Sequence, residues 1–218
     1  MLEELKWKVC GLKSAKDASV AASCGADFLG FILYPKSPRV ISLSEFSSLQ
    51  GELPEIPKVA ICVEPTPADL SAMDKAGFDF FQIHFRHDIL PARLQEWSQA
   101  VGAERLWLAP KLPPSEDVPA GWLPLARYFL LDAFRADLFG GTGRTADWAK
   151  FTRHRRAHPE QTWILAGGLN PSNVADAIRQ SGARWIDVNS GVESAPGVKD
   201  PAKIRAFADA LRARAAGA

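Results

Sequence analysis

Cys10 stands where a thiol is available for chemistry, at the end of a short apolar run near the start of the chain. The run covers residues 6–10, a glycine follows it, and a stretch with helical spacing comes next. A thiolate is an effective base when nearby positive charge lowers the pKa of its thiol. We expect strand alternation to turn Lys8 outward, which leaves Arg39 and backbone amides as sources of that charge. Taken alone, Cys10 also fits a small buried core residue.

Asp132 is the candidate partner of Cys10, because it ends another apolar run, at 127–132. A proton-transfer site needs one group that accepts a proton and another that donates one. A carboxyl group in a partly dry cavity has a raised pKa and can act as the acid. The alternative is a carboxylate that caps a loop or pairs with Arg135. Together, Cys10 and Asp132 predict general acid–base catalysis.

Glycine-rich turns at the ends of three successive apolar runs predict a phosphate site. Such turns present several backbone N–H groups to one point, and a following helix adds partial positive charge. One glycine pair is a weak signal, since glycine often only supplies a positive φ. Three such turns together are more specific. The candidate phosphate-binding residues are Gly141, Gly143, Gly167, Gly168, Ser190 and Gly191.

Other polar side chains are candidates for holding the rest of a substrate. Arg39 ends a basic loop that two prolines stiffen, and its planar guanidinium can grip a carboxylate in two places. Gln82 and His84 share one face of a strand, so both are expected at the barrel interior or mouth as possible pocket residues. Cys62 ends a further apolar run and is expected in the pocket wall. Cys24 is expected to pack within a helix.

Composition argues against several other classes of function. The 218 residues have a net charge of +1, which gives no electrostatic basis for binding nucleic acid or an anionic membrane. The three cysteines lack metal-type spacing, and their odd number disfavours a disulfide framework. Charges among the first eight residues disfavour a signal peptide, and no apolar run reaches the length of a membrane span. We expect a cytoplasmic protein with no metal site and no obligate protein partner.

The elements that position these residues alternate regularly along the chain. Predicted strands are nearly continuous in hydrophobicity, as expected for a parallel sheet covered on both faces. They cover residues 6–10, 27–33, 57–63, 78–84, 105–109, 127–132, 162–166 and 184–188. Predicted helices cover residues 16–24, 42–50, 68–76, 91–100, 146–156, 171–180 and 201–214, with a short or distorted helix at 115–125.

Eight strand–helix units in 218 residues predict an α/β fold, a single (β/α)8 TIM barrel spanning residues 1–218. A doubly wound open sheet is the alternative, although it usually needs fewer strands. In a TIM barrel the active site lies at the carboxyl ends of the strands, and the loops after the seventh and eighth strands commonly bind phosphate. This fold would therefore bring the candidate residues to one end of the molecule.

Taken together, these motifs resemble those of the phosphoribosylanthranilate isomerase family, an enzyme family of tryptophan biosynthesis. The matching phrases keep the family's order over residues 8–200. They are KVCG at 8–11, YPKSPR at 34–39, QIH at 82–84, LD at 131–132, GGTGRT at 140–145, LAGGL at 165–169, DVNSGVE at 187–193 and PGVKD at 196–200. The phrases at 34–39 and 187–193 are much more specific than any glycine pair.

The resemblance implies an Amadori rearrangement of N-(5-phosphoribosyl)anthranilate to 1-(2-carboxyphenylamino)-1-deoxyribulose 5-phosphate. It implies that Cys10 is the general base and Asp132 the general acid, that Arg39 holds the anthranilate carboxylate, and that no metal or organic cofactor is needed. Phe85 departs from the family's usual glycine, which is expected to reshape the fourth loop. Asn189 replaces a common serine, and residues 12–14 replace a usual Ile-Thr.

Three alternatives remain at this stage. A histidine-pathway or bifunctional histidine/tryptophan isomerase would use two carboxylates, and Cys10 at the first strand end disfavours it. A metal-dependent pentose-phosphate epimerase would need paired His and Asp ligands at several strand ends. A noncatalytic phosphosugar-binding barrel would keep the phosphate site and lose turnover, although both Cys10 and Asp132 are present.

Overall fold

The computed structural model describes residues 5–132 and 147–216 and contains a closed parallel barrel of eight strands. Each strand pairs with the next in chain order, and the eighth pairs with the first. This confirms the (β/α)8 TIM barrel and excludes the open sheet. The strands are β1 (Lys6–Val9), β2 (Phe28–Ile32), β3 (Lys58–Val63), β4 (Phe80–Arg86), β5 (Leu106–Lys111), β6 (Tyr128–Leu131), β7 (Thr162–Leu165) and β8 (Trp185–Val188).

Seven α-helices are described around the barrel: α1 (Ala15–Ser23), α2 (Leu43–Leu49), α3 (Pro67–Lys75), α4 (Pro91–Val101), α5 (Trp148–Ala157), α6 (Val174–Ser181) and α7 (Pro201–Ala216). Ser42 and Thr66 form capping boxes at the starts of α2 and α3, which satisfies exposed backbone donors there. A short 3₁₀ helix at Ala120–Leu125 takes the place of the distorted helix expected between β5 and β6.

One predicted helix start was wrong. The Asn170-Pro171 pair does not begin α6, which starts three residues later, at Val174. The Asn170 side chain accepts a hydrogen bond from the backbone N–H of Ser172, and the Asn173 side chain accepts one from the N–H of Asn170. These side-chain bonds stabilise a turn in place of the first helical turn.

Alternation along each strand divides the apolar residues into an outer and an inner core. The outer core lies between strands and helices and includes Trp7 and Val9 of β1. The inner core fills the barrel and includes Cys10. Lys8 shares the face of Cys10 and is buried, 1% exposed, with its Nζ reaching Gln82 inside the barrel. The expectation that Lys8 points outward was therefore wrong, because residues two apart on a strand share a face.

The same alternation corrects two other expectations. Cys62 belongs to the outer core, and its Sγ lies 3.8 Å from the backbone oxygen of Gln82, while Ile61 and Val63 on either side of it line the cavity. Cys62 is therefore not in the pocket wall. Phe85 also faces outward, and its ring centroid lies 5.6 Å from that of Trp97 and 5.4 Å from that of Trp122. Its side chain packs under the outer layer and does not enter the substrate cavity.

An aromatic layer fills the barrel toward the amino ends of the strands. Five rings from five different strands meet there, with centroid separations of 5.2 to 6.1 Å between those in contact. They belong to Phe28, Phe80, Trp107, Tyr128 and Trp185. Among the described residues these rings fill that end of the barrel, and the interior opens toward the carboxyl ends of the strands. Within the described residues, no helix has the length and apolar character needed to cross a membrane.

Candidate active site

A cavity that opens to solvent lies at the carboxyl ends of the barrel strands. It brings together most of the residues singled out in the sequence. Those lining it are Cys10, Arg39, Gln82, His84, Asp132, Gly167, Gly168 and Ser190, with Asp187 and Asn189 in addition. Gly191 follows Ser190 in the chain and is not among the lining residues. Gly141 and Gly143, and the possible partner Arg135, fall outside the described residues.

Cys10 directly follows β1 and is 3% exposed. Its backbone lies against Gly30 of β2, where an added Cβ would come within 3.0 Å of the Cys10 Cα. Burial, followed by the Asp187 carboxylate, raises the pKa of Cys10 to about 12, while Lys8, Lys199 and Arg39 act to lower it. The thiol is therefore protonated at neutral pH in the protein without substrate, although the sequence suggested a lowered pKa. The physical reason is that burial outweighs the surrounding cations.

A polar cluster lies beneath Cys10, formed by the buried residues Lys8, Gln82 and Asp187 and the half-buried His84. The Lys8 Nζ donates to the Gln82 Oε1, lies 3.4 Å from the Asp187 Oδ1, and stands 4.8 Å from the centroid of the Trp107 ring. The Gln82 Nε2 lies 2.7 Å from the His84 Nε2. Burial raises the pKa of Asp187 although Lys8 acts to lower it. Burial and the Lys8 charge lower the pKa of His84 to about 3.

Arg39 forms an ion pair with Glu193. Glu193 is the first residue of a short antiparallel hairpin, which consists of β9 (Glu193–Ala195) and β10 (Val198–Lys199). The Nε of Arg39 lies 2.8 Å from one oxygen of Glu193, and its Nη2 lies 2.7 Å from the other. The buried Lys199 Nζ donates to the same carboxylate at 2.9 Å and to the Asn189 Oδ1 at 2.9 Å. Burial acts to raise the pKa of Glu193, but the bonds from Arg39 and Lys199 outweigh it and hold this pKa low.

The turns after β7 and β8 lie very close to each other. Gly167 and Gly168 have φ values of 90° and 65°, which favour glycine. A Cβ on Gly191 would stand 1.8 Å from the backbone oxygen of Leu169, so only glycine fits there. The Asn173 Nδ2 donates to the Gly168 oxygen at 2.9 Å, which fixes the turn. The result is a rigid backbone wall at the position where barrels of this kind bind phosphate.

Sequence reasoning missed four charged residues that shape the site: Lys8, Asp187, Glu193 and Lys199. The signal for Lys8 and Asp187 was available, because alternation puts Lys8 on the face of Cys10 and Asp187 on the face of Asn189. Glu193 and Lys199 belong to the phrases at 187–193 and 196–200, but neither residue was assigned a role from the sequence. Among residues 5–132 and 147–216, no group of three or more His, Cys, Asp or Glu side chains is arranged to hold a metal ion.

Comparisons with known proteins agree with this geometry. The model of the N-(5'-phosphoribosyl)anthranilate isomerase family matches residues 7–210. The N-(5'-phosphoribosyl)anthranilate isomerase of Granulibacter bethesdensis is 37% identical over 212 residues, which covers 94% of this chain and 97% of that protein. The crystal structure of phosphoribosyl anthranilate isomerase from Thermus thermophilus is similar with a TM-score of 0.79 and 29% identity, covering 96% of this chain and 99% of that one.

A further solved structure contains a bound ligand. It is a phosphoribosyl anthranilate isomerase in complex with reduced 1-(o-carboxyphenylamino)-1-deoxyribulose 5-phosphate, with a TM-score of 0.77 and 27% identity. The match covers 96% of this chain and 99% of that one. With a family model that matches nearly the whole chain and relatives of similar length, the resemblance stated from the sequence is confirmed: the chain belongs to the N-(5'-phosphoribosyl)anthranilate isomerase family and is an isomerase.

Proposed function

We propose that this chain converts N-(5-phosphoribosyl)anthranilate to 1-(2-carboxyphenylamino)-1-deoxyribulose 5-phosphate, with Cys10 as general base and Asp132 as general acid. The observation that carries the proposal is that both side chains line the same cavity as Arg39 and the backbone turns after β7 and β8. Residues 1–218 act as one domain, and the reaction needs no cofactor. A cytoplasmic location stays a prediction.

The proposed reaction assigns two of its proton transfers to Asp132 and Cys10. Asp132 protonates the ring oxygen of the ribose, and the furanose opens to a cationic imine. Cys10 then removes the proton from C2, because the imine withdraws electrons from that carbon. The resulting enolamine takes a proton at C1 and loses one from the C2 hydroxyl, which gives the ketone. Since the Cys10 thiol is protonated in the protein without substrate, its base form arises in the complex, where the adjacent cationic imine favours a thiolate.

The substrate's two anionic ends have separate binding elements. The phosphate is bound by backbone N–H groups near Gly167, Gly168, Ser190 and Gly191, with Gly141 and Gly143 as further candidates outside the described residues. The anthranilate carboxylate is bound by Arg39. Glu193 accepts hydrogen bonds from the Nε–H and from one Nη2–H of Arg39. A guanidinium has five N–H donors, so three remain. The substrate carboxylate is therefore bound by the other edge of the guanidinium, which carries the Nη1–H groups and the second Nη2–H.

Arg39→Lys is expected to raise KM about tenfold or more and to change kcat less. An ammonium cannot bind Glu193 with one planar edge and a substrate carboxylate with another, so a charge-assisted hydrogen bond to the substrate is lost. Steady-state kinetics measure this split. Arg86→Lys is the matched control, because Arg86 is exposed and pairs with Asp88 at the surface. A lower kcat with unchanged KM in Arg39→Lys would contradict the binding role.

Turnover of freshly generated phosphoribosylanthranilate by the wild-type protein tests the proposal directly. Conversion is followed as a loss of anthranilate-type fluorescence, and the product is identified by mass and chromatography. Catalysed conversion supports the isomerase. A wild-type protein that binds the reduced product analogue without turning over substrate would instead indicate the noncatalytic phosphosugar-binding barrel.

A further inference from the structure

The cluster beneath Cys10 has only one consistent assignment of hydrogen-bond donors. The Lys8 ammonium stands beside the Asp187 carboxylate, and an ammonium donates but never accepts. The atom of Gln82 that it contacts must therefore be the carbonyl oxygen Oε1. This contact is buried, because Lys8 and Gln82 are each 1% exposed. It fixes the orientation of the Gln82 amide, whose oxygen and nitrogen could otherwise be interchanged by a flip of the amide group.

The orientation of Gln82 then determines the tautomer of His84. With its oxygen bound to Lys8, Gln82 can offer only its NH₂ group to the His84 Nε2, 2.7 Å away. An amide nitrogen donates, so the His84 Nε2 must accept and carry no proton. The ring also stays neutral, because burial and the Lys8 charge both disfavour imidazolium. A neutral imidazole without a proton on Nε2 carries its proton on Nδ1.

His84 reaches the substrate cavity, whereas Lys8 does not line it. In the described part of the chain, Gln82 is the side chain that hydrogen-bonds to the His84 ring. We propose that Lys8 and Gln82 act as positioning residues that lock His84 as a neutral Nδ1–H donor, which binds an oxygen atom of the substrate. This inference rests on the proposed function for the identity of the ligand, but the tautomer itself is a property of the protein without substrate.

The first test reads the tautomer directly. In the full-length protein labelled with ¹⁵N-histidine, the spectrum of wild type is compared with that of His84→Gln, which lacks the His84 signals. We expect the proton of His84 on Nδ1 and an unprotonated Nε2. In Gln82→Met, which has a side chain of similar size and no amide, the two tautomers should mix. A proton on Nε2 in wild type, or an unchanged tautomer in Gln82→Met, would overturn the inference.

The second test separates the two ring nitrogens by substitution. The amide nitrogen of asparagine lies as many bonds from Cβ as Nδ1 does, while that of glutamine reaches the place of Nε2. We therefore expect His84→Asn to keep most of the wild-type kcat/KM and His84→Gln to lose about tenfold, the value of one hydrogen bond. The reverse order, or equal losses, would contradict an Nδ1–H donor.

The two tests keep this inference separate from the proposed function. If the protein fails to turn over phosphoribosylanthranilate, the proposed function fails while the spectrum still reports the tautomer. If turnover is normal and the His84 proton lies on Nε2, the inference fails alone. Binding of reduced 1-(o-carboxyphenylamino)-1-deoxyribulose 5-phosphate should follow the same order as kcat/KM, with His84→Asn tighter than His84→Gln. Equal affinities would count against a contact between His84 and the substrate.

Discussion

Cys10→Ala and Cys10→Ser are each expected to lower kcat by about 10²–10⁴-fold, the usual contribution of a general base. Alanine removes the proton acceptor, and a serine hydroxyl is a far weaker acid than a thiol, so its alkoxide does not form at neutral pH. The Cys10 side chain is buried, and both replacements are no larger, so the barrel should still fold. The measurement is single-turnover conversion of phosphoribosylanthranilate under saturating enzyme.

The matched control for Cys10 is Cys62→Ala. Cys62 is also a buried strand cysteine, but it faces the outer core and does not line the cavity. This variant should lose some stability, as any large-to-small core change does, and should keep the wild-type kcat. Robust activity in Cys10→Ser would leave the substrate assignment intact and contradict the thiolate mechanism. An equal loss in Cys62→Ala would show that the effect comes from folding.

The raised pKa of Cys10 gives this mechanism a specific pH dependence. The pH profile of kcat/KM reports groups of the free enzyme, and that of kcat reports groups of the complex. With a free-enzyme pKa of about 12, the thiolate fraction increases tenfold per pH unit through the neutral range. In Asp132→Asn, which has no general acid to titrate, we therefore expect the residual kcat/KM to rise toward alkaline pH and kcat to level off at lower pH. A kcat/KM plateau in that variant that begins below about pH 8 would contradict this.

The fold could be predicted from the sequence because its signals are local and repeated. Strands buried on both faces read as apolar runs, and caps such as Ser42 and Thr66 mark where helices begin. The start of α6 was wrong because Asn170 and Asn173 form side-chain bonds that compete with a helical turn. Whether such a segment forms a turn depends on whether its side-chain hydrogen bonds are more stable than the backbone bonds of a helix. The residue types alone do not determine this.

The sequence predicted which candidate residues line the cavity better than it predicted the ion pairs and pKa values there. Topology alone brings Cys10, Asp132 and His84 to one cavity. Lys8 was misplaced although Cys10, two residues later, had already been assigned to the interior. The bond between Arg39 and Glu193 joins residues 154 positions apart, and no local pattern predicts such a contact. The raised pKa of Cys10 likewise results from burial, which depends on the packed structure.

The buried charges around the cavity form two groups with different neighbours. Lys8 and Asp187 stand inside the barrel, below Cys10, and contact the strand residues Gln82 and Trp107. Lys199 and Glu193 stand at the rim and hold Arg39 and Asn189. Buried ion pairs add little net stability on their own. Their contacts fit the proposed roles of His84 and Arg39, because the first group orients His84 through Gln82 and the second holds Arg39 in place.

Asp132→Asn is expected to lower kcat by about 10²–10⁴-fold, because asparagine keeps the shape of the carboxyl group and cannot donate a proton to the ring oxygen. Ring opening precedes every later step, so the loss should appear in kcat and in kcat/KM alike. The affinity for the reduced product analogue should change little, since the analogue has no furanose ring to open. Stopped-flow kinetics and calorimetric titration measure the two quantities separately.

The control for Asp132 is Asp176→Asn on α6, an exposed carboxylate that pairs with Arg179 at 2.8 Å on the surface. Exposed pairs contribute about 0–1 kcal/mol, so this variant should have wild-type kinetics and nearly wild-type stability. A general acid must be protonated to act, so the wild-type kcat should also fall at high pH, and this fall should be absent from the residual activity of Asp132→Asn. Full turnover in Asp132→Asn would mean that another group opens the ring and would remove Asp132 from the mechanism.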